Sequence, residues 1–402
     1  MNLARRAFLA GGCAFCALGT VACTPVDNSG QRPTTGIDGR TDLSARNLPG
    51  MRTGATDDDD DGLRGSVDKI ERQIKTSRSL VRDPAVNAYL KDLVGRLAGD
   101  YAPDIRPYLL RVPDFNAGQY PNGMMQIWSG LLLRCTDEAQ LAAVLGHEIG
   151  HYLRAHSREQ LRSRRQMVDA SQILAMIFGA AGAPQAADLT SLMLTAAFFS
   201  YGRDQEREAD EIGIRRLAEI GLDPLAASGN WDNILAEIKA LGIDPSSSVV
   251  FATHPDSAER ASTLRARARE LPAGARHAQE YARAIAAIRP FLFDDQIRKG
   301  QHAATILIAG RWLEANPNDG LARYAKGESY RLRAKDGDEE AAIEALAAAL
   351  EADGTPPTAW RSLGSIRRKR GETAEANTLF REYLRRQPNA PDRDLIRRSI
   401  TS

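Results

Sequence analysis

The chain has 402 residues, more than one ordinary domain needs, so we expect two folded units joined by connecting segments. Its 43% hydrophobic and 26% charged residues are close to the average of soluble globular proteins, which excludes wholesale disorder. The 53 Lys and Arg against 52 Asp and Glu leave a net charge of +1 and therefore no global field for binding nucleic acid. Three of the four cysteines lie within the first 23 residues, which excludes a disulfide scaffold.

The N-terminus has the pattern of an export signal. An arginine pair precedes an uncharged stretch that is too short and too rich in Gly and Ala for a permanent spanning helix. We therefore predict a signal peptide over residues 1–22. Residues 5–9 resemble a twin-arginine signal, although Sec export fits as well, and residues 20–23 resemble a lipobox in which Cys23 carries a lipid anchor.

Residues 23–65 are predicted to be a flexible acidic linker. They are rich in Gly, Pro, Asp, Ser and Thr, show no apolar periodicity and contain the run Asp57–Asp61. An acidic run of this kind repels itself and is typical of a solvated tether. A helical pattern begins near Ser66, where apolar residues start to recur at three- and four-residue spacing.

Two strands are predicted after this helical region. Residues 108–112 and 124–133 read as strands, and the turn-rich residues 116–123 join them. Residues 124–127 can bind an extended substrate peptide if they form an exposed edge of the sheet. The alternative is that they are ordinary core sheet.

The next helix carries the residues with the clearest chemistry. Thr136 is predicted to cap it, and residues 147–151 form an H-E-x-x-H sequence. Four residues make just over one turn, so both histidines can hold one metal ion, while the glutamate lies near them as a base. His156 lies five residues after the second histidine and is rotated away on a continuous helix, which predicts a surface histidine.

A second acidic motif follows two apolar segments over residues 173–199. These segments are predicted to be core helices, with a membrane-facing or gating role as the alternative. After them, Glu206 and Asp210 share one helix face, so one can bind the metal while the other accepts a hydrogen bond from a ligating histidine; Glu208 points elsewhere. Two His and one Glu with an open fourth position form the donor set of catalytic zinc.

Together these motifs resemble peptidase family M48 of the metallopeptidases, which includes HtpX and the prenyl-protein proteases. The resemblance spans about residues 66–271 and departs from the family pattern at Gly202, where Ser is usual. It implies a mainly α (α+β) fold, in which a helical zincin-type metallopeptidase domain contains a small β-sheet. The motifs that carry it are the H-E-x-x-H sequence, Glu206-x-x-x-Asp210, Asn116-Ala117 with Pro121 and Gly123, and Thr253-His254-Pro255 followed by Arg260.

The resemblance also implies the roles of the site residues. One Zn²⁺ per chain would be held by His147, His151 and Glu206, with Asp210 behind the ligands and Glu148 as the general base. The oxyanion needs a second donor besides the metal, for which the candidates in order of preference are His254, Arg260 and Tyr201. His254 has two rival roles, as a plug in the open metal position or as a residue that stabilises its turn.

A repeat region is predicted over residues 272–402. Residues 314–317 and 351–354 match at an offset of 37 residues, within a composition rich in Ala, Arg and Glu. The last unit has the spacing with which tetratricopeptide repeats pack their two helices, at Trp360, Leu363, Gly364, Ala376, Phe380 and Pro388. We expect an α-solenoid of three tetratricopeptide-like units, and a plain helical bundle is the alternative.

The expected function is that of a zinc endopeptidase of the bacterial periplasm, similar to family members with C-terminal repeats. The repeats would recruit misfolded or stalled envelope proteins, and the outer-membrane assembly machinery is a second expected partner. The lipid at Cys23 would provide contact with the outer membrane, and no nucleic acid partner is expected. The alternative is a chaperone or assembly factor with a regulated or plugged zinc site.

Overall fold

A computed structural model describes residues 44–47, 49, 58–165, 201–245, 248–254 and 257–401. Ser44–Ser402 form one compact unit. The signal peptide over residues 1–22, the lipid site at Cys23 and the apolar segments over residues 173–199 lie outside the described residues and remain predictions. Within the described residues, every helix is too short or too polar to span a bilayer.

Two helices begin the core of the N-terminal half. Helix α1 spans Asp58–Thr76 and helix α2 spans Pro84–Ala98, with Asp83 capping α2 through a 3.0 Å hydrogen bond from the Val86 amide. The linker prediction is therefore wrong for residues 58–65, because α1 begins within the acidic run. The positive end of a helix dipole favours acidic residues in the first turn, which the linker argument left out.

The sheet has three strands in the order β1-β3-β2. Strand β1 (Arg106–Leu110) pairs in parallel with β3 (Met124–Trp128), and β2 (Ala117–Gln119) pairs with β3 in antiparallel register. Since β3 is the central strand, the prediction that residues 124–127 form an exposed edge for substrate is wrong. The sequence pattern missed β2, whose Ala, Gly and Gln have low β-propensity.

Strand β3 ends earlier than the sequence predicts. Helix α3 (Ser129–Arg134) follows it directly, so the predicted strand over residues 124–133 is half strand and half helix. Short apolar runs do not distinguish a buried strand from a buried helix by periodicity. The predicted N-cap is also displaced by one residue: Asp137 caps helix α4 (Glu138–Leu153) by accepting a 2.8 Å hydrogen bond from the Gln140 amide, and Thr136 precedes it.

Helix α4 lies at the centre of the N-terminal half, where it crosses α6 (Arg203–Glu219). Every residue of α4 except Val144 is buried. Glycines allow the close crossing: a Cβ on Gly150 would lie 2.9 Å from the Ala209 Cα, and one on Gly213 would lie 3.0 Å from the His147 amide nitrogen. The other helices of this half are α5 (His156–Arg165), α6 (Arg203–Glu219), α7 (Ala226–Leu241), α8 (Val249–Thr253) and α9 (Ser257–Ala268).

A short N-terminal segment packs against the C-terminal end of α4. The backbone amides of Arg46 and Asn47 donate to the Leu153 carbonyl at 2.8 and 3.2 Å, and Arg154 Nη1 donates to the Ser44 carbonyl at 2.7 Å. Asn47 is 5% exposed. The linker prediction is thus wrong for this segment also, because its backbone satisfies the carbonyl that the end of α4 leaves open.

The C-terminal part consists of helices that pack on their neighbours in the chain. Gly327 and Gly364, 37 residues apart, lie at equivalent contacts: a Cβ on Gly327 would lie 2.8 Å from Leu346 Cγ, and one on Gly364 would lie 2.7 Å from Phe380 Cε1. The helices are α10 (Ala278–Ala284), α11 (Arg289–Arg298), α12 (His302–Ala315), α13 (Gly320–Arg333), α14 (Asp338–Leu350), α15 (Thr358–Lys369), α16 (Thr373–Arg386) and α17 (Arg393–Thr401).

Helices α10 and α12 bond to α3, the short helix that precedes α4. Tyr281 OH donates to the Leu132 carbonyl at 2.6 Å, and Trp312 Nε1 donates to the Leu133 carbonyl at 2.9 Å. Arg134 forms a buried ion pair with Glu237 at 2.8 Å. These contacts join the first helices after residue 272 to the core that carries the H-E-x-x-H sequence. The expected mainly α fold with a small sheet is confirmed.

Candidate metal centre

Three predicted ligands converge where α4 crosses α6. The Nε2 atoms of His147 and His151 are 3.0 Å apart, and the Glu206 carboxylate lies 3.5 Å from each of them. The three residues are 8%, 0% and 1% exposed. Tetrahedral zinc with bonds of about 2.0–2.1 Å separates its ligand atoms by about 3.3 Å. The three donors therefore have the spacing that a single zinc ion requires.

The charges of these donors also suit a metal ion. Although burial opposes its ionisation, the positive charges of His254 and Arg260 hold the pKa of the Glu206 carboxyl well below its usual value. Burial lowers the pKa of His151. The site thus offers a carboxylate and a neutral imidazole, which are the protonation states that metal binding needs.

His254 brings a fourth donor to the same point. Its Nδ1 lies 3.0 Å from Glu206 Oε1 and 3.4 Å from His147 Nε2, and its Nε2 lies 3.5 Å from Glu148 Oε1. One ligand atom from each of His147, His151, Glu206 and His254 lies within 4.8 Å of the others. Of the three roles that the sequence left open for His254, this placement favours the plug.

Glu148 lies beside the ligands and is held by the sheet. It is 1% exposed, and its Oε2 accepts a 3.0 Å hydrogen bond from the Gln119 amide in β2. Burial raises the pKa of the Glu148 carboxyl, which the nearby His254 and His147 oppose. A carboxylate with a raised pKa is better matched to proton transfer near neutral pH.

Asp210 and Arg260 support the ligands from behind. Asp210 Oδ1 lies 2.9 Å from His147 Nδ1, so this nitrogen can donate to the carboxylate while Nε2 faces the other candidate ligands. Arg260 donates to both oxygens of Asp210 at 2.6 and 2.8 Å, pairs with Glu206, and lies over the Trp231 ring at 4.6 Å. The predicted supporting role of Asp210 fits this geometry. Arg260 contacts Asp210 and Glu206 in the same way. Its role as an oxyanion donor stays a prediction.

The prediction that His156 is a surface histidine is wrong. His156 is 1% exposed, its Nδ1 lies 2.9 Å from His151 Nδ1, and its Nε2 lies 3.2 Å from Glu208 Oε2. Glu208 also accepts a 2.7 Å hydrogen bond from Arg154 Nε. The prediction assumed a continuous helix, but α4 ends before Ala155, which has a φ of 58° and turns the chain back under His151.

Tyr201 packs flat on the second histidine ligand. Its ring centroid lies 3.6 Å from that of His151 with the planes 15° apart, and its hydroxyl lies 2.8 Å from Ser157 Oγ. Ser157 Oγ in turn donates to the Gln119 carbonyl at 3.0 Å. This arrangement orients the His151 ring and favours a packing role over the predicted alternative of an oxyanion donor.

A cleft of about 440 Å³ opens on the side of the centre formed by α4, α7 and α9. His147, Glu148 and His254 border it together with several apolar side chains, including Ala143, Val144, Trp231, Val250 and Leu264. An apolar surface therefore leads to His147 and Glu148.

The fold and the site have the arrangement of an H-E-x-x-H metallopeptidase, in which His147, His151 and Glu206 could hold a metal ion. The family model that describes Peptidase family M48 matches residues 79–268 of this chain. The chain thus carries an M48 domain over these residues, as the motifs predict.

Three relatives illustrate the range of this similarity. The putative beta-barrel assembly-enhancing protease of Vibrio cholerae is 28% identical over 215 residues, which cover 51% of this chain and 44% of the relative. The beta-barrel assembly-enhancing protease of Escherichia coli K12 is 28% identical over 238 residues, 57% of this chain and 48% of the relative. The mitochondrial metalloendopeptidase OMA1 of Schizosaccharomyces pombe is 31% identical over 156 residues, 38% and 43% of the two chains. The aligned region thus spans about half the length of each relative.

Proposed function

We propose that this protein is a zinc-dependent endopeptidase of the bacterial cell envelope. The observation that carries the proposal is the buried cluster of His147, His151 and Glu206 with Glu148 beside it, inside an M48 domain. Zinc held by these donors would supply a Lewis acid and lower the pKa of a bound water from about 15.7 toward 7.

The residues around the metal position would then divide the work of peptide hydrolysis. Glu148, held by the Gln119 amide, takes the proton of the attacking water and passes it to the leaving amine. Asp210 and His156 bond the Nδ1 atoms of His147 and His151, which fixes both rings with Nε2 toward the metal. His254 and Arg260 remain the candidates for a second oxyanion donor.

The helices after residue 272 support a recruiting role. The equivalent glycine contacts at Gly327 and Gly364 repeat at the offset read from the sequence, and α11 to α16 provide three helix pairs. We assign these pairs as tetratricopeptide-like units that recruit substrate or a partner. Their attachment to α3 would hold a recruited chain on the same body as the metal centre.

Location and partners follow from the sequence pattern and from the relatives. An export signal over residues 1–22 and a lipid at Cys23 would place the enzyme in the periplasm at the outer membrane. Two of the relatives are named for enhancing the assembly of β-barrels. For this chain we propose unfolded or misassembled envelope proteins as substrates and the outer-membrane assembly machinery as a partner.

The experiment that tests the activity compares zinc content and casein cleavage between the wild-type protein and Glu148→Gln. We expect one zinc per chain in both proteins and cleavage only by the wild type. A matched control is Glu219→Gln, which removes a carboxylate at the exposed end of α6 and should cleave like the wild type. Unchanged cleavage by Glu148→Gln would reject this residue as the base.

A second candidate function, a chaperone or assembly factor with a plugged site, is favoured by the position of His254. Its contacts with Glu206 and His147 put an imidazole where substrate and water need to bind. His254→Ala should then cleave casein faster than the wild type while it retains zinc. Slower cleavage by this variant would instead assign His254 to the reaction as a donor, and zinc without cleavage in either protein would favour the chaperone.

A further inference from the structure

A second pocket lies on the β2 side of Glu148. It borders the metal centre at Glu148 and His254, and its other walls come from β2, β3 and the segments near them. The lining residues that carry the argument are Asn116, Gln126 and Trp128. Glu148 and His254 also border the apolar cleft, so the two pockets adjoin at the residues beside which a peptide bond would be cleaved.

Two carboxamides on the same face of the sheet leave polar atoms unpaired in the wall of this pocket. Asn116 Oδ1 and Gln126 Nε2 are buried and have no hydrogen-bond partner among the described residues. The two residues are 3% and 2% exposed. Buried polar atoms without partners are rare, because the free energy of their lost hydration is not recovered. Together they leave one acceptor and one donor beside Glu148 for a bound group.

The strand register explains why the pocket stays open at this point. Gly118 of β2 pairs with Gln126 of β3, so the neighbouring strand provides no side chain to cover the Gln126 carboxamide. A larger residue at position 118 would stand beside it on the same face of the sheet. The open wall is therefore a consequence of one glycine in the edge strand.

The chemistry of the wall selects the bound group. Each carboxamide offers an acceptor and a donor, so the matching group must both donate and accept hydrogen bonds. A carboxylate would meet the negative charge of Glu148, the sole acidic residue in the described lining. A cation would pair with that same carboxylate and remove it from proton transfer. An uncharged amide or hydroxyl group can form these hydrogen bonds without being repelled by Glu148 and without pairing with it.

We propose that this pocket is a subsite for an uncharged hydrogen-bonding side chain of the substrate, Gln, Asn, Ser or Thr, next to the cleaved bond. The proposal rests on the proposed endopeptidase function and adds a substrate preference to it. Gln126 is its specificity-determining residue, because its carboxamide lies in the pocket wall without taking part in the metal centre.

The test reads the sequence preference of cleavage. Casein is digested with the zinc-loaded full chain, and the cleaved bonds are identified by mass spectrometry. We expect one position near the cleaved bond to be enriched about fivefold in Asn, Gln, Ser and Thr, the discrimination that one neutral hydrogen bond provides. In Gln126→Met this enrichment should disappear and apolar residues should replace it. Asn116→Leu provides a second variant if Gln126→Met does not fold.

Gln296→Met is the matched control, since Gln296 is a fully buried carboxamide in α11 outside this pocket and should keep the wild-type preference. A flat preference in the wild type, or the same preference in Gln126→Met, overturns the proposal and leaves water as the partner of these atoms.

A binding measurement separates the failure of this proposal from that of the proposed function. If the wild type cleaves no casein, the endopeptidase assignment fails, and the pocket is tested with acetylated pentapeptide amides that carry Gln or Leu at the central position. Binding of the Gln peptide about fivefold more tightly to the zinc-loaded protein supports the subsite. Equal affinities for the two peptides overturn it.

Discussion

The candidate metal centre and the C-terminal helices each contain a glycine that allows two helices to approach closely, but the consequences differ. At the α4–α6 crossing, a Cβ on Gly150 would meet the backbone of Ala209 at 2.9 Å, whereas in the α15–α16 pair a Cβ on Gly364 would meet the ring of Phe380 at 2.7 Å. At the α4–α6 crossing, the contact of two backbones brings polar side chains from both helices to one point. In the α15–α16 pair, the contact of a backbone with an apolar ring only fills the core. Whether a close helix contact can form a site therefore depends on the side chains beside it.

The N-terminal half, which carries the candidate metal centre, and the C-terminal helices also differ in how their ion pairs respond to acid. Glu71, whose side chain is 7% exposed, pairs with Arg106 at 2.8 Å, and these hydrogen bonds lower the pKa of its carboxyl from 4.5 to about 2. Glu382 in α16 also has a pKa of about 2 because of Arg385 and Arg386, but its side chain is 28% exposed. Solvent screens such exposed pairs, so their contribution to stability is small.

The largest expected effect is therefore Glu71→Gln. A folded-state pKa below the unfolded value stabilises the protein above the unfolded pKa, and this stability is lost as pH falls from about 4.5 to about 2. The shift corresponds to about 3 kcal/mol of unfolding free energy at pH 7. Denaturant unfolding at pH 7 and pH 3 measures it, and Glu382→Gln should change stability little at either pH. Equal losses in the two variants would contradict the comparison.

Gly150→Ala should come next, through the metal centre. The added methyl meets the backbone of Ala209, which cannot move without displacing α6 and the Glu206 carboxylate. We expect zinc affinity to fall about 10- to 100-fold, the range seen when groups that orient metal ligands are disturbed. Competition with a chromophoric chelator measures the affinity. Zinc binding as tight as in the wild type would show that the crossing tolerates the separation.

Gly364→Ala is the counterpart in the C-terminal helices. The methyl there meets a side-chain ring that can shift, so we expect a loss of about 1–2 kcal/mol of stability from overpacking. Zinc affinity should not change, because α15 contributes no residue to the metal centre. Thermal unfolding and the same chelator titration check both statements. A drop in zinc affinity would mean that the two regions are coupled more tightly than their contacts indicate.

The smallest expected effect comes from the imidazole of His156, which contacts His151. His156→Leu removes the group that bonds His151 Nδ1, and zinc affinity should fall about tenfold. His156→Gln retains an acceptor and a donor and should recover part of the loss, which a purely structural role would not predict. Equal zinc affinities in the two variants would reject the positioning role of His156.

Much of the site could be predicted from local spacing. His147 and His151 share a helix face in any α-helix, and Glu206 and Asp210 do the same on a later helix, so both halves of the donor set were visible in the sequence. The resemblance to the M48 family assigned Glu206 to the metal, and the structure brings it to the two histidines. Helical periodicity needs no tertiary information.

The wrong predictions concern segments where a helix ends at a single residue or where strands distant in sequence pair. A left-handed Ala155 ends α4 and turns His156 inward, and no periodicity signals a single residue in that conformation. Strand β2 exists because β3 pairs with it, and this pairing makes β3 central and excludes it as a substrate edge. Burial and pairing depend on residues far apart in the chain, which a pattern within one segment does not contain.

The sequence alone thus determined the predicted class of chemistry and its candidate residues, because ligand type and helical spacing are local properties. Only the tertiary structure decided which atoms surround those residues. The glycines at the α4–α6 crossing allow the donors to approach, and the turn at Ala155 brings His156 against His151. Gly118 opposite Gln126 leaves an amide-lined pocket beside Glu148. Each depends on the close approach of segments that are distant in sequence.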